Sequence, residues 1–186
     1  MPNSWSSQPV FIPGGDPEAM NEPSLLYPGQ LGIRFAYITP PRSAPSNTTG
    51  AGTPKAYKLV STDSTMAVNP YAGAVAWFAD QSAHKVTTIV TPLGRGRVAG
   101  RFCNAVTPGY YTCIQVKGLG SMKFIDAVTA APTAAGLLVI PSATNGKADC
   151  LAAGSAATYP ILGRSAGAYD AASATAMVDL DVPEVL

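Results

Sequence analysis

The sequence predicts an all-β fold, a β-barrel or β-sandwich of roughly ten short antiparallel strands with an extended N-terminal arm. Three observations carry this. Glycine (18) and proline (17) make up about a fifth of the 186 residues and recur along the whole chain, so helices are broken wherever they would start. Hydrophobic residues amount to 47%, too many for a chain that stays unfolded. From Lys55 onward, apolar runs of strand length are separated by turn residues at intervals of roughly ten.

Residues 1–24 read as a proline-rich arm. Pro2, Pro9, Pro13, Pro17 and Pro23, with Gly14-Gly15 between them, deny the segment a helix or a central strand. Trp5, Val10, Phe11 and Ile12 are scattered through it, and a plain linker has no use for such side chains. Fully extended, about 24 residues at ~3.3 Å each reach almost 80 Å. Ordering such an arm costs about 1–2 kcal/mol per residue, so apolar anchors must dock for it to stay fixed. Two arrangements are open: a disordered or self-packed tail, and an arm docked on another subunit or protein. The anchors favour the second.

Residues 25–54 form a strand plus linker. Leu31, Ile33, Phe35 and Tyr37 alternate with Gly32, Arg34 and Ala36, which predicts a half-buried strand over residues 30–38. Residues 39–54, with Pro40-Pro41, Pro45, Gly50 and Gly52, predict a long loop.

Residues 55–186 are the barrel or sandwich domain. Its predicted strands are 56–60, 74–78, 86–90, 98–104, 110–116, 121–125, 136–140, 148–151, 161–165 and 174–180. The alanine-rich stretches are interrupted by Pro132, Gly136, Gly154, Pro160 and Gly167, leaving room for at most one short helical turn near residues 169–173. Gly118-Leu119-Gly120 reads as a turn between two strands. Thr107-Pro108-Gly109 is the clearest reversal, since Pro presets its φ and Gly supplies a positive one. Centring the turn on Pro108 sets Phe102 opposite Ile114, and Cys103 opposite Cys113 on the other face; a loop one residue longer or shorter separates the thiols. Alternating Val178-Asp179-Leu180-Asp181-Val182 reads as an edge strand whose charges deter unwanted pairing.

Lys and Arg number 12 against 11 for Asp and Glu, a net charge of +1, which gives no electrostatic reason to expect nucleic acid or an anionic membrane as partner. No apolar run approaches the ~20 residues that span a bilayer, and the N-terminus lacks the basic and apolar regions of a secretory signal. Three cysteines, odd in number and without metal-ligand spacing, predict buried, inert thiols and no metal.

Catalytic groups are sparse. The single histidine, His84, sits in the polar stretch Asp80-Gln81-Ser82-Ala83-His84-Lys85, where a solvated loop residue is the simpler reading than a general base. No Gly-x-Ser-x-Gly elbow is present. Asp63, Asp80, Asp126, Asp149, Asp170, Asp179 and Asp181 are isolated, so paired acids for glycoside hydrolysis are not expected. Leu93-Gly94-Arg95-Gly96-Arg97 is compatible with a phosphate contact, but also with a hairpin connection that keeps its charges in water. Tyr57, Tyr71, Trp77, Phe78, Tyr110, Tyr111 and Phe124 fall mostly inside predicted strands, where core packing accounts for them better than a stacking platform. The residues thus predict no enzyme and no cofactor.

One resemblance adds to this. Tyr57-Lys58-Leu59-Val60-Ser61-Thr62-Asp63-Ser64-Thr65-Met66, then Gly73-Ala74-Val75-Ala76-Trp77-Phe78-Ala79-Asp80, then Val98-Ala99-Gly100-Arg101-Phe102 leading into Thr107-Pro108-Gly109-Tyr110-Tyr111-Thr112-Cys113-Ile114-Gln115-Val116-Lys117-Gly118, follow a distinctive cadence. Ile161-Leu162-Gly163-Arg164-Ser165-Ala166 and Ala176-Met177-Val178-Asp179-Leu180 continue it. The whole resembles the capsid decoration, or cement, proteins of tailed bacteriophages, closely over residues 57–118 and loosely over 136–180.

The resemblance implies a β domain on the outer surface of the virion, made in the bacterial host cytoplasm. Its partners would be the major capsid protein and neighbouring copies of itself, as dimer or trimer, with no nucleic acid and no membrane. The resemblance does not cover the first 24 residues; from the residues themselves, Trp5, Phe11, Ile12, Leu25, Leu26 and Tyr27 are the expected apolar anchors of the partner interface. The alternative from another class is a carbohydrate-binding or host-attachment β module of a phage fibre or spike, which needs exposed aromatics beside acids or amides at loop tips.

Overall fold

The structure is a computed structural model that describes residues 16–24, 28–38, 54–66, 68–90, 97–125, 132–152, 155–157 and 159–183. Apart from a single 3-10 turn at Pro28–Gln30, its regular elements are all strands: β1 (Arg34–Ile38), β2 (Pro54–Thr62), β3 (Val75–Asp80), β4 (Lys85–Thr87), β5 (Val98–Phe102), β6 (Tyr111–Lys123), β7 (Leu138–Pro141), β8 (Ala148–Cys150), β9 (Gly163–Ser165) and β10 (Thr175–Asp181). The predicted all-β fold is what the chain adopts.

Five strands close on themselves in the order β2-β4-β3-β5-β6, with β6 returning to pair with β2. All pairs are antiparallel except β2–β4, where Ser61 faces Lys85 and Thr62 faces Val86 in parallel. Outside the barrel, β10, β9, β7 and β8 continue the sheet from β6, and β1 lies along the first part of β2. Closure removes the sheet edges of these five strands, which otherwise invite aggregation.

Two apolar clusters result. The larger gathers Val60, Trp77, Phe102, Ile114, Phe124, Val139, Leu162 and Leu180, each no more than 1% exposed. The smaller holds Met20, Tyr57, Leu59 and Cys113, with Phe35, Tyr37, Cys103 and Tyr111 packed on it. Because side chains alternate along a strand, Leu59 and Val60 serve different clusters, and β2 is buried on both faces. Residues 16–24 and β1 supply the outer cover. The nine described residues of the arm therefore lie on their own domain.

The hairpin register is the predicted one: Phe102 pairs with Ile114 and Arg101 with Gln115. Cys103 and Cys113 both join the smaller cluster as free thiols. Three expectations need correction. Residues 110–116 and 121–125 are not two strands but one of 13 residues, and Gly118-Leu119-Gly120 lies within it. Gly118 does take a positive φ of 89°, yet it stays in the strand, paired with Leu180 just past a β-bulge: Ala56 pairs with Lys117 and Tyr57 with Gln115, leaving Val116 as the extra residue. The bulge bends β6 so that its first half belongs to the barrel and its second half pairs with β10.

Strand β10 is no edge. It pairs with β6 on one side and β9 on the other, and its apolar–acidic alternation reports one buried and one solvated face, with Asp179 and Asp181 exposed. Residues 171–174 form a non-helical turn closed by the bridge Asp170–Thr175. The Asp170 carboxylate takes hydrogen bonds from Ala172 N and Ser173 Oγ inside it, a local alternative to helical bonding.

Candidate functional site

The densest polar construction in the described residues lies where the N-terminal segment meets β2, β5 and β6. Asp16-Pro17-Glu18-Ala19 is a turn with Pro at its second position. Ala19 N bonds to Asp16 O at 3.1 Å, and Glu18 N donates to Asp16 Oδ1 at 2.9 Å. The turn aims Glu18 at β2, where its Oε1 accepts from Lys55 Nζ at 2.8 Å and from the Tyr57 hydroxyl at 2.6 Å. Burial works to raise the Glu18 pKa, but the hydrogen bonds from Lys55 and Tyr57 and the Lys55 charge outweigh it and leave the carboxyl below its ordinary value. Burial and that same carboxylate push the Tyr57 phenol upward, so it stays a donor.

The next residues complete the anchor. Met20 is 2% exposed, and the Cys113 thiol points at its sulfur at 3.6 Å. Its carbonyl accepts from Thr112 Oγ1 at 2.9 Å and Asn104 Nδ2 at 3.1 Å. Asn21 Oδ1 accepts from Thr107 N, and Glu22 exchanges backbone hydrogen bonds with Tyr111 at 3.1 and 2.9 Å. The segment thus closes as a short antiparallel bridge on β6.

Beside the anchor opens a cleft of about 440 Å³, walled by Glu18, Lys55, Arg101, Ser121, Asp170 and Ser173 with Leu119, Gly120, Thr175 and Met177. Arg101, only 6% exposed, donates from Nε to Gln115 Oε1 at 2.7 Å and from Nη1 to Ser121 O at 2.9 Å. The wall balances two cations against two carboxylates. Hydrogen bonds from Ser173 and Ala172 hold Asp170 below its ordinary pKa as well. Both acids are therefore poised as acceptors, whereas glycoside hydrolysis needs one carboxyl held protonated as the acid. The arrangement suits holding a chain segment or polar group by charge and hydrogen bonds.

Of the three thiols expected to be buried, only Cys113 is fully so; Cys103 and Cys150 are half-buried. Burial pushes Cys103 up to about 11, Cys150 up to about 11 and Cys113 upward too, and thiols with raised pKa are poor nucleophiles at neutral pH. Among the described residues no group of three or more His, Cys, Asp or Glu is placed to hold a metal ion, and no helix is long and apolar enough to cross a membrane. His84 departs from the solvated loop residue the sequence suggests. It is half-buried with φ 49°, and its ring packs so closely on Gly32 that a Cβ there would collide with it. The aromatics follow the core reading: Tyr57, Trp77, Phe78 and Phe124 are buried, and Ile161 is the exposed large hydrophobic among the described residues.

The predicted interface residues Trp5, Phe11, Ile12, Leu25, Leu26 and Tyr27 all lie outside the described residues, as do Gly94, Arg95 and Gly96. Sequence reasoning passed over Glu18, Lys55, Arg101 and Gln115. One signal for Glu18 was present: Asp16-Pro17 is a turn opener, and Met20 is an apolar residue close behind it. Lys55, Arg101 and Gln115 gave none, because each is a polar residue in a strand whose partner is distant in sequence. Comparison with known proteins gives no match to this chain, whether by family model, by curated relative or by solved structure.

Proposed function

We propose that this chain is a structural capsid decoration, or cement, protein of a tailed bacteriophage, which binds the outside of the head across capsid-subunit junctions and stabilises the mature shell against internal pressure. The observation that carries the reading is the anchor. Glu18 and Met20 fasten the N-terminal segment to β2 and β6, two adjacent walls of a closed barrel. Force applied to the chain before Asp16 is passed to a rigid body rather than to a loose linker. The sequence resemblance over residues 57–118 coincides with the strands that build that body.

The mechanism is linkage. A ligand that binds the assembled shell and not its separated subunits stabilises the shell by mass action. With the domain on one capsid subunit and the arm on another, the second contact is effectively intramolecular, and modest contacts add up to high occupancy. The partners are the major capsid protein and neighbouring copies, and the site of action is the outer surface of the virion.

The test is cosedimentation of the purified chain with expanded and unexpanded heads of the phage that carries its gene, comparing the full chain with one lacking residues 1–15. The full chain pellets with expanded heads and the shortened chain does so poorly. Failure of the full chain to pellet with either form overturns the reading. A glycan-array signal from a chain with no affinity for heads replaces it with a host-attachment module.

A further inference from the structure

The ten-stranded sheet has two ends, and they differ. At one, β8 is three residues long and its free side is bridged to Phe124, with Ile125 N donating to Ala148 O at 3.2 Å. At the other, β1 runs five residues along β2 with no shift of register. Among the described residues nothing pairs with its outer side. Natural edges are guarded by proline, bulges or charges, and β1 carries only Arg34, at its first position.

Ile33 O accepts from Leu59 N at 3.2 Å, so Ile33 turns that carbonyl to β2. Alternation gives Phe35 and Tyr37 the same direction, and sends the N–H and C=O of Arg34, Ala36 and Ile38 outward. Ala36 is exposed. Phe35 and Tyr37 flank it half-buried, their ring centroids 5.9 and 6.3 Å from that of Tyr57.

We propose that β1 pairs antiparallel with β1 of a second copy of this chain, about a two-fold axis at Ala36. Only that centre pairs all five residues of each strand. It sets Ala36 against Ala36, Phe35 against Tyr37 and Arg34 against Ile38, and it joins outward backbone groups to outward ones. Centring on Arg34 would set the two cations face to face.

The rows so built run through both copies. On one face Tyr57 and Phe35 of one copy continue into Tyr37 and Lys55 of the other, and the reverse, so the half-buried aromatics meet across the axis. On the other face Ala56 and Ala36 meet Ala36 and Ala56, a row of methyl groups too small to clash. The two Arg34 residues lie four positions apart along the strands, about 14 Å at ~3.4 Å per residue, which is beyond the screening length of about 8–10 Å. The pairing needs no head and stands or falls separately from the decoration reading. A five-residue contact is small, so the dimer is reversible and fills only in concentrated solution.

Sedimentation equilibrium of the purified full chain, from about 10 µM to about 1 mM, reads the association directly. The weight-average mass rises from 19.0 kDa toward twice that value. Ala36→Pro removes an outward N–H that the fold itself does not use, so circular dichroism and the thermal midpoint stay close to the parent while association weakens about tenfold or more. Ala36→Lys and Ala36→Glu each weaken it likewise, because like charges then meet on the axis, and an equimolar mixture of the two associates again. A chain that stays monomeric throughout, a dimer indifferent to Ala36→Lys, or charge variants that do not recover on mixing overturns the proposal. An association that survives Ala36→Lys but is lost without residues 1–15 assigns the contact to the arm and overturns it as well.

Discussion

Gln115 Oε1 accepts the Arg101 Nε hydrogen at 2.7 Å, and the same amide turns its nitrogen to the carbonyls of Lys117, Gly118 and Leu119 at 3.1, 2.9 and 3.2 Å. One fully buried side chain therefore pairs a buried cation and satisfies the backbone of the bulge that bends β6. Gln115→Leu fills the space but leaves both unsatisfied. Its cost is about 3 kcal/mol, read as a lower urea midpoint at unchanged slope. Lys117→Ala, which breaks only the exposed pair with Asp181 at 3.4 Å, costs less than about 0.5 kcal/mol. Equal effects of the two would refute the role given to Gln115.

That contrast shows what the sequence could and could not disclose. Alternation and turn residues are local, and they placed most strands and the Phe102–Ile114 register. Gly118 signalled a positive φ truthfully, but that conformation fits a reversal or a position inside an irregular strand, and only the pairing of Gly118 with Leu180 on β10 decides between them. Val178 to Val182 likewise reported a solvated face, and not how many neighbours the strand has. Glu18, Lys55, Arg101 and Gln115 were illegible as a site because barrel closure, a contact between distant segments, is what brings them together.

The Glu18 lock gives the next prediction. Lys55 is 6% exposed, so Glu18→Gln leaves its ammonium nearly buried beside a neutral acceptor. Stability falls by about 2 kcal/mol. Pairing Glu18→Leu with Lys55→Met recovers much of the loss, since an apolar replacement removes the stranded charge together with its partner. Cys113 reports the local event: a disulfide exchange reagent modifies it slowly in the parent chain and faster in Glu18→Gln. Unchanged Cys113 reactivity would mean that Met20 stays seated without the lock.

Acid should release the same anchor. The folded-state pKa of Glu18 is lowered, so its contribution is present above the ordinary glutamate value of 4.5 and is lost as pH falls from there through the folded value. Tyr57, Cys103, Cys113 and Cys150 have raised folded values, so their contributions are present at neutral pH and fade in alkali, once the unfolded chain ionises first. The expected profile is a stability plateau between about pH 5 and 8 with a shoulder below 4.5. In Glu18→Gln the acid shoulder is shallower. An identical acid limb in both chains would assign the transition to other carboxylates.

Truncation separates anchoring from reach. A chain lacking residues 1–15 keeps the Asp16 turn, Glu18 and Met20, whereas one lacking residues 1–24 loses all three and uncovers Tyr57, Leu59 and Cys113. Whatever the first 15 residues contribute cancels when the two shortened chains are compared. Burying Met20 and closing the Lys55 pair outweigh the entropy of fixing a short segment already bent by Pro17, so the longer deletion is less stable by about 2 kcal/mol. It also exposes apolar surface on β2 and β6, so it binds a hydrophobic dye and aggregates while the shorter deletion does neither. Matching midpoints and dye binding for the two would show that residues 16–24 rest on the barrel without holding to it, and the load path from arm to domain would fail with them.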